Sequence, residues 1–429
     1  MLSQLFNTDA LKRLIPPLSL SLLAGCSALP TPVVLDYGAS HSVEGISALL
    51  RAQASSRPLH VLLIHGMGTP QPYAFEAFIA SLAGRFGLVQ IPPLNPEPQP
   101  QGCYQATPAE GALIHPPPRP IVLDGVPAEA QAQLYTYRFA PTPSGEPTLT
   151  VSYLLWTPLT ESIKCSLAAE DNQAPPKQAF AAFAKDFIDD KLGDAVLYAG
   201  TYRESVMRPS IQAGLCLMID GHPSEDGKTC RSPNYDEKTV IITHSLGGYM
   251  LMDAIDDELR REKAGAGKSA AHKILENTQF IYMMANQLAL LDLSTLDGYP
   301  RRLESFPISG IVPQNFAQRW SAIKLKFPVL STEPDEKPSF KRQIVAFSDP
   351  NDILSWRLKP YNLELPHSEW GSVEETNVYM SNGEFSIPLL FSMPTDAHGG
   401  YFVNPTVMDM LICGVENGAP RACPPEISP

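Results

Sequence analysis

Thr239-Val240-Ile241-Ile242-Thr243-His244-Ser245-Leu246-Gly247-Gly248-Tyr249-Met250 is the stretch that decides the fold. Its first five residues are all β-branched, the composition of a strand buried on both faces. His244 to Gly248 reads as a sharp turn. Beyond it Tyr249, Met250, Met252, Ala254, Ile255 and Leu259 recur at helical spacing. The same order stands earlier in the chain. The apolar run Pro58–Ile64 is closed by His65-Gly66-Met67-Gly68, and Phe75, Phe78, Ile79, Leu82 and Phe86 follow at helical spacing. Further strands are expected at Gln279–Met284, Gln343–Phe347 and Asn377–Met380. Buried strands alternating with helices predict an α/β protein whose central sheet is mostly parallel, doubly wound and flanked by helices.

Between these two units the pattern changes. Ten prolines fall between Pro92 and Pro120, a density that excludes regular helix and central strand and predicts a surface insertion. Leu134–Phe139 and Leu149–Trp156 read as a hairpin whose second run ends at a sheet edge. Lys177–Ile219 keeps helical period, with breaks expected at Gly193 and Pro209. The organisation expected is one domain over 58–429 carrying an insertion, or cap, at about 92–177 between the first strand unit and the second.

The N-terminus has its own grammar. Lys12 and Arg13 precede an apolar stretch Leu14–Leu23 and then Leu23-Ala24-Gly25-Cys26, the layout of an export signal over residues 1–25. The apolar part is too short to span a bilayer, which takes about 20 residues. Leu-Ala-Gly-Cys resembles the lipobox of bacterial lipoproteins. That resemblance implies acylation of Cys26, a tether over 26–57 and, with Ser27 next, anchoring in the outer membrane of a Gram-negative cell envelope. Lipidation leaves six of the seven cysteines in an oxidising compartment: Cys103, Cys165, Cys216, Cys230, Cys413 and Cys423. Fifteen pairings are open on paper. Short loops favour Cys216–Cys230 and Cys413–Cys423, leaving Cys103–Cys165.

Composition removes several functions. A formal charge of −13 with 32 Lys and Arg and no long basic run argues against a nucleic-acid partner. Gly265-Ala-Gly-Lys-Ser269 resembles the end of a phosphate-binding loop, but Glu262 stands where its first glycine belongs. There is no His-Glu-x-x-His and no Cys-x-x-Cys, so neither a metal nor another cofactor is expected.

Thr243-His244-Ser245-Leu246-Gly247 resembles the nucleophile elbow of the α/β-hydrolase superfamily, with Thr243 in the first small position. His65-Gly66-Met67-Gly68 is similar to the His-Gly oxyanion loop of lipases. The resemblance implies Ser245 as nucleophile and the backbone amides of Met67 and Leu246 as the oxyanion hole. The superfamily's order places the acid and then the base after Ser245. Asp352, just past the Gln343–Phe347 strand, is the expected acid and Asp349 the alternative. His398, between Asp396-Ala397 and Gly399-Gly400 in what reads as a loop, is the expected base. The activity implied is hydrolysis of a small-molecule or lipid ester through an acyl-enzyme. A non-catalytic binding or scaffold lipoprotein of the same fold, and an acyltransferase using the same triad, stay open as alternatives.

Overall fold

The computed structural model describes residues 33–36, 42–51, 57–68, 75–94, 113–172, 179–262, 267–291, 316, 319–323, 325–326, 342–358, 373–382, 394–416 and 419–423. Along the chain the strands are β1 (Val33–Asp36), β2 (Ser42–Glu44), β3 (Leu59–Ile64), β4 (Val89–Gln90), β5 (Arg119–Pro120), β6 (Gln133–Ala140), β7 (Leu149–Leu155) and β8 (His222–Pro223). They continue as β9 (Cys230–Arg231), β10 (Thr239–His244), β11 (Thr278–Met284), β12 (Arg342–Ser348), β13 (Val373–Tyr379), β14 (Gly414–Glu416) and β15 (Ala419–Pro420). One mixed sheet runs β1-β13-β12-β11-β10-β3-β7-β6-β4, with β5 also paired to β6. The strands from β13 to β7 are mutually parallel, whereas β1 at one end and β6, β4 and β5 at the other are antiparallel to their neighbours.

The central strands β3, β10, β11 and β12 are buried along their whole length, as their near-continuous apolar runs require in a sheet covered on both faces. Side-chain alternation divides the core in two. Leu62, Ile64 and Ile241 join one layer with the helices Arg208–Met218, Leu246–Glu262 and Ala270–Leu275. Val61, Leu63 and Ile242 join the other, under the helices Ile46–Arg51, Glu76–Gly84 and Pro405–Cys413. The expected α/β architecture with helices on both faces is therefore present.

Three expectations need correction. The tether expected over 26–57 belongs in part to the domain: β1 pairs with β13, β2 pairs with β14, and Ile46 and Leu49 are buried in the second core layer. These pairings join residues more than 300 positions apart, which local pattern cannot register. The region 92–177 is not solely an insertion, because it supplies β5, β6 and β7 to the main sheet. The hairpin β6–β7 forms as expected, yet β7 is interior, with β3 on its other side. Of the Pro-rich part, residues 95–112, including Cys103, lie outside the described residues, as do the whole of 1–32 and Cys26.

Two of the expected disulfides are formed, Cys216–Cys230 with Cα atoms 5.6 Å apart and Cys413–Cys423 at 5.1 Å. The first ties the end of the Arg208–Met218 helix to β9. The second ties the C-terminal helix to the segment after β15.

Candidate active site

The parallel strands deliver their C-terminal ends to one side of the sheet, and the candidate residues gather there. β10 ends at His244, the helix Leu246–Glu262 begins at Leu246, and Ser245 between them has φ +53°. Left-handed backbone is costly for a residue with a Cβ and persists where surrounding structure enforces it. The enforcement is visible. The Ser245 amide donates to the Met284 carbonyl at the end of β11, at 2.9 Å. A Cβ on Gly247 would press into the His65 carbonyl, and one on Gly66 would press into the Ser245 Cβ. The two turns after β3 and β10 thus touch backbone to backbone, which only glycine permits. Thr243, the larger residue in the first small position, is accommodated by Gly248, where a Cβ would lie 2.9 Å from the Thr243 Oγ1.

His398 and Asp352 meet Ser245 although 153 and 46 residues separate the bonded partners. The His398 Nε2 is 2.9 Å from the Ser245 Oγ, and its Nδ1 is 3.0 Å from each Asp352 carboxylate oxygen. Asp352 Oδ1 also accepts the Leu354 amide at 2.9 Å, and Oδ2 accepts the Tyr401 hydroxyl at 3.3 Å. Asp349 is placed otherwise. Its carboxylate accepts the Asn351 amide and side chain and the Asn382 amide, so it closes the turn after β12 and ties it to the end of β13. His398 lies in a short helix, Pro394–Gly399, rather than in the expected loop. The Asn382 side chain holds that helix by donating to the Ala397 carbonyl at 3.0 Å.

Two histidines missed as supports complete the surroundings. His244 Nε2 donates to the His398 carbonyl at 2.8 Å, and its ring packs against those of His398 and Phe402. His65 stacks on Trp156, donates from Nδ1 to the Gly66 carbonyl at 2.8 Å and accepts the Trp156 amide at Nε2 at 3.0 Å. Burial lowers both imidazoles to about 3, so both are neutral and act as fixed donors and acceptors. In a trans peptide N–H and C=O point oppositely. Pinning the Gly66 carbonyl to His65 therefore turns the Met67 amide away from His65. The Leu246 amide is the first of its helix and so among the donors with no intrahelical partner.

A second serine–histidine–acid chain exists and serves as contrast. Ser152 Oγ is 2.8 Å from His60 Nε2, and His60 Nδ1 is 3.0 Å from Glu237 Oε2. Ser152 sits inside the ladder of β7, paired with Leu62 and Thr136 on its two sides. It has no strained turn and no following helix N-terminus to bind an oxyanion; Ser152 and His60 are buried in the sheet, whereas Glu237 precedes β10 and is partly exposed at a cavity that all three line. The two chains share their distances and differ in the turn that holds the serine.

Among the described residues no group of three or more His, Cys, Asp or Glu is placed to hold a metal, and no helix is long and apolar enough to cross a membrane. Compared with known proteins, the chain matches no family model, no curated protein and no solved structure.

Proposed function

We propose that the chain is a serine hydrolase of α/β-hydrolase type, cleaving carboxylic esters through an acyl-enzyme on Ser245 while tethered to a membrane of the cell envelope by lipid on Cys26. The observation that carries the catalytic part is the continuous line Ser245 Oγ, His398, Asp352 at 2.9 and 3.0 Å, with the serine held at φ +53°. With its Nδ1 proton directed at Asp352, a neutral His398 offers the Nε2 lone pair to the serine hydroxyl. Ser245 Oγ bonds to the ester carbonyl carbon as its proton passes to His398. The charge that develops on the carbonyl oxygen is met by the Met67 and Leu246 amides, one such donor being worth about 10²–10³ in rate. His398 then protonates the departing alkoxide, and water, deprotonated by the same imidazole, releases the acid. Acyl transfer to an alcohol would use the same first half-reaction, with the alcohol replacing water.

A fluorophosphonate probe tests the enzyme claim. Wild type is expected to label and Ser245→Ala to remain unlabelled, with turnover of nitrophenyl esters lowered by about 10⁶; equal labelling of the two would mean a non-catalytic scaffold. Activity confined to acetyl esters would remove lipids from the substrate class. The anchor is tested separately: Cys26→Ser is expected to move the protein from the membrane fraction to the soluble envelope fraction.

A further inference from the structure

Resting on the serine-hydrolase reading, we propose that Asp194 is the positioning residue of the oxyanion loop, a buried clamp that holds the Met67 amide in place through Gly68. Asp194 begins no obvious motif. It stands in the helix Gly193–Ala199, within the stretch where the sequence shows only helical period. Its carboxylate is wholly buried and receives three donors: the Thr160 hydroxyl on Oδ1 at 2.7 Å, and on Oδ2 the Gly68 amide at 2.7 Å and the Lys164 ammonium at 3.1 Å. Lys164 is 1% exposed. Its ammonium also donates to the carbonyl of Asp190, in the π-helical turn Ile188–Leu192, at 3.1 Å. A π turn of this kind carries an extra residue per hydrogen-bonded ring and often marks a functional position.

A buried ion pair is weak as a device for stability, since apolar residues of like volume commonly do as well. What this pair accomplishes is directional. The carboxylate fixes the Met67–Gly68 peptide from one side, through a charge-assisted bond to a backbone amide. His65 fixes the Gly66–Met67 peptide from the other, through the Gly66 carbonyl. Met67 is thus bracketed by two hydrogen-bonded peptides, of which Gly66–Met67 carries its own amide. Gly68 has φ +96°, and the end of the Lys191 side chain, which comes from the π-helical turn, lies where its Cβ would be. An oxyanion donor held in this way needs no reorganisation when charge develops, which is the condition for electrostatic catalysis.

The test joins hydrogen exchange to kinetics, with Asp194→Asn, which keeps shape but loses charge, and Thr160→Val, a milder change should the first fail to fold. Expected for each is exchange of the Gly68 amide at least about 10-fold faster with β3 and β10 amides unchanged. kcat on a short nitrophenyl ester should fall about 10–100-fold while KM stays within about threefold. Unchanged Gly68 exchange, unchanged kcat, or faster exchange across the whole domain would overturn the proposal. Faster Gly68 exchange in the variants, combined with a wild type that neither labels with fluorophosphonate nor turns over esters, would overturn the hydrolase reading and leave the clamp standing.

Discussion

Two aspartates three positions apart, Asp349 and Asp352, occupy the same turn and do different work. Only Asp352 reaches the imidazole, and both its oxygens stand 3.0 Å from His398 Nδ1. Asp352→Asn would present an amide where an acceptor is needed and select the wrong imidazole tautomer, so kcat is expected to fall by about 10³–10⁴ with little change in KM. Asp349→Asn leaves one oxygen where the Asn351 amide bonds to Oδ1 and the Asn382 amide to Oδ2, so one of the two amides loses its acceptor. It is expected to lower stability by about 1–3 kcal/mol and to leave kcat within about fivefold, measured on the same ester. The superfamily's order places the acid just past the Gln343–Phe347 strand and favours Asp352 over Asp349, and turn chemistry in Asp-Pro and Asn-Asp marks one of the pair as a turn former. Which carboxylate faces a histidine 46 residues away is a matter of tertiary geometry, and it is Asp352.

At the scale of elements, the strand–turn–helix around Ser245 is legible because its sequence pattern is local, although the left-handed backbone of Ser245 is held by the Met284 carbonyl of β11. β-branched residues make the strand, Gly247 makes the turn, and an apolar stripe makes the helix. Its closeness to the loop after β3 is not local. Gly247→Ala would drive a methyl into the His65 carbonyl, two backbones that cannot part without breaking the β3–β10 pairing. The variant is expected to lose more than about 3 kcal/mol of stability, read from urea unfolding, or to fail to accumulate folded. Gly399 has open space at its Cβ position, so Gly399→Ala is expected to shift stability by less than about 0.5 kcal/mol although it neighbours His398. By sequence the stretch around His398 reads as a loop, because the paired glycines Gly399-Gly400 look like turn chemistry, whereas the structure has the helix Pro394–Gly399. The Asn382 bond to Ala397 that helps hold the helix is tertiary.

For the molecule as a whole, burial of His65 and His244 ties stability to pH. Both are held to about 3 in the folded chain against an ordinary 6.5, so between these values the unfolded chain binds more protons. Stability therefore rises with pH across that window, and each histidine contributes up to about 1.4 kcal/mol per pH unit. Glu258 and Glu375 work in the opposite sense, burial raising their carboxyls from 4.5 to about 7 and about 8; their contributions are present at low pH and are lost as pH rises through that window, offsetting the histidines. The measurable effect is therefore differential: in urea unfolding at pH 5 and pH 7, His244→Gln is expected to lose the His244 part, so that its stability at pH 7 relative to pH 5 falls below that of wild type by up to about 2 kcal/mol. An identical pH 5 to pH 7 change in the variant and in wild type would contradict the assignment of His244 as a buried neutral imidazole. The alternation of buried strands and helices and the glycine-bearing turns after β3 and β10 follow from hydrophobic period and backbone sterics within a dozen residues. The serine, and the short list of acids and bases after it, follow from the resemblance to the superfamily's motifs and chain order. Tertiary packing alone sets β1 at one edge of the sheet and β7 inside it, brings Asp352 rather than Asp349 to His398, and brings Asp194, itself paired with Lys164, to the Gly68 amide. Each of those depends on a contact between distant segments, and such contacts are set by how the packed layers come together.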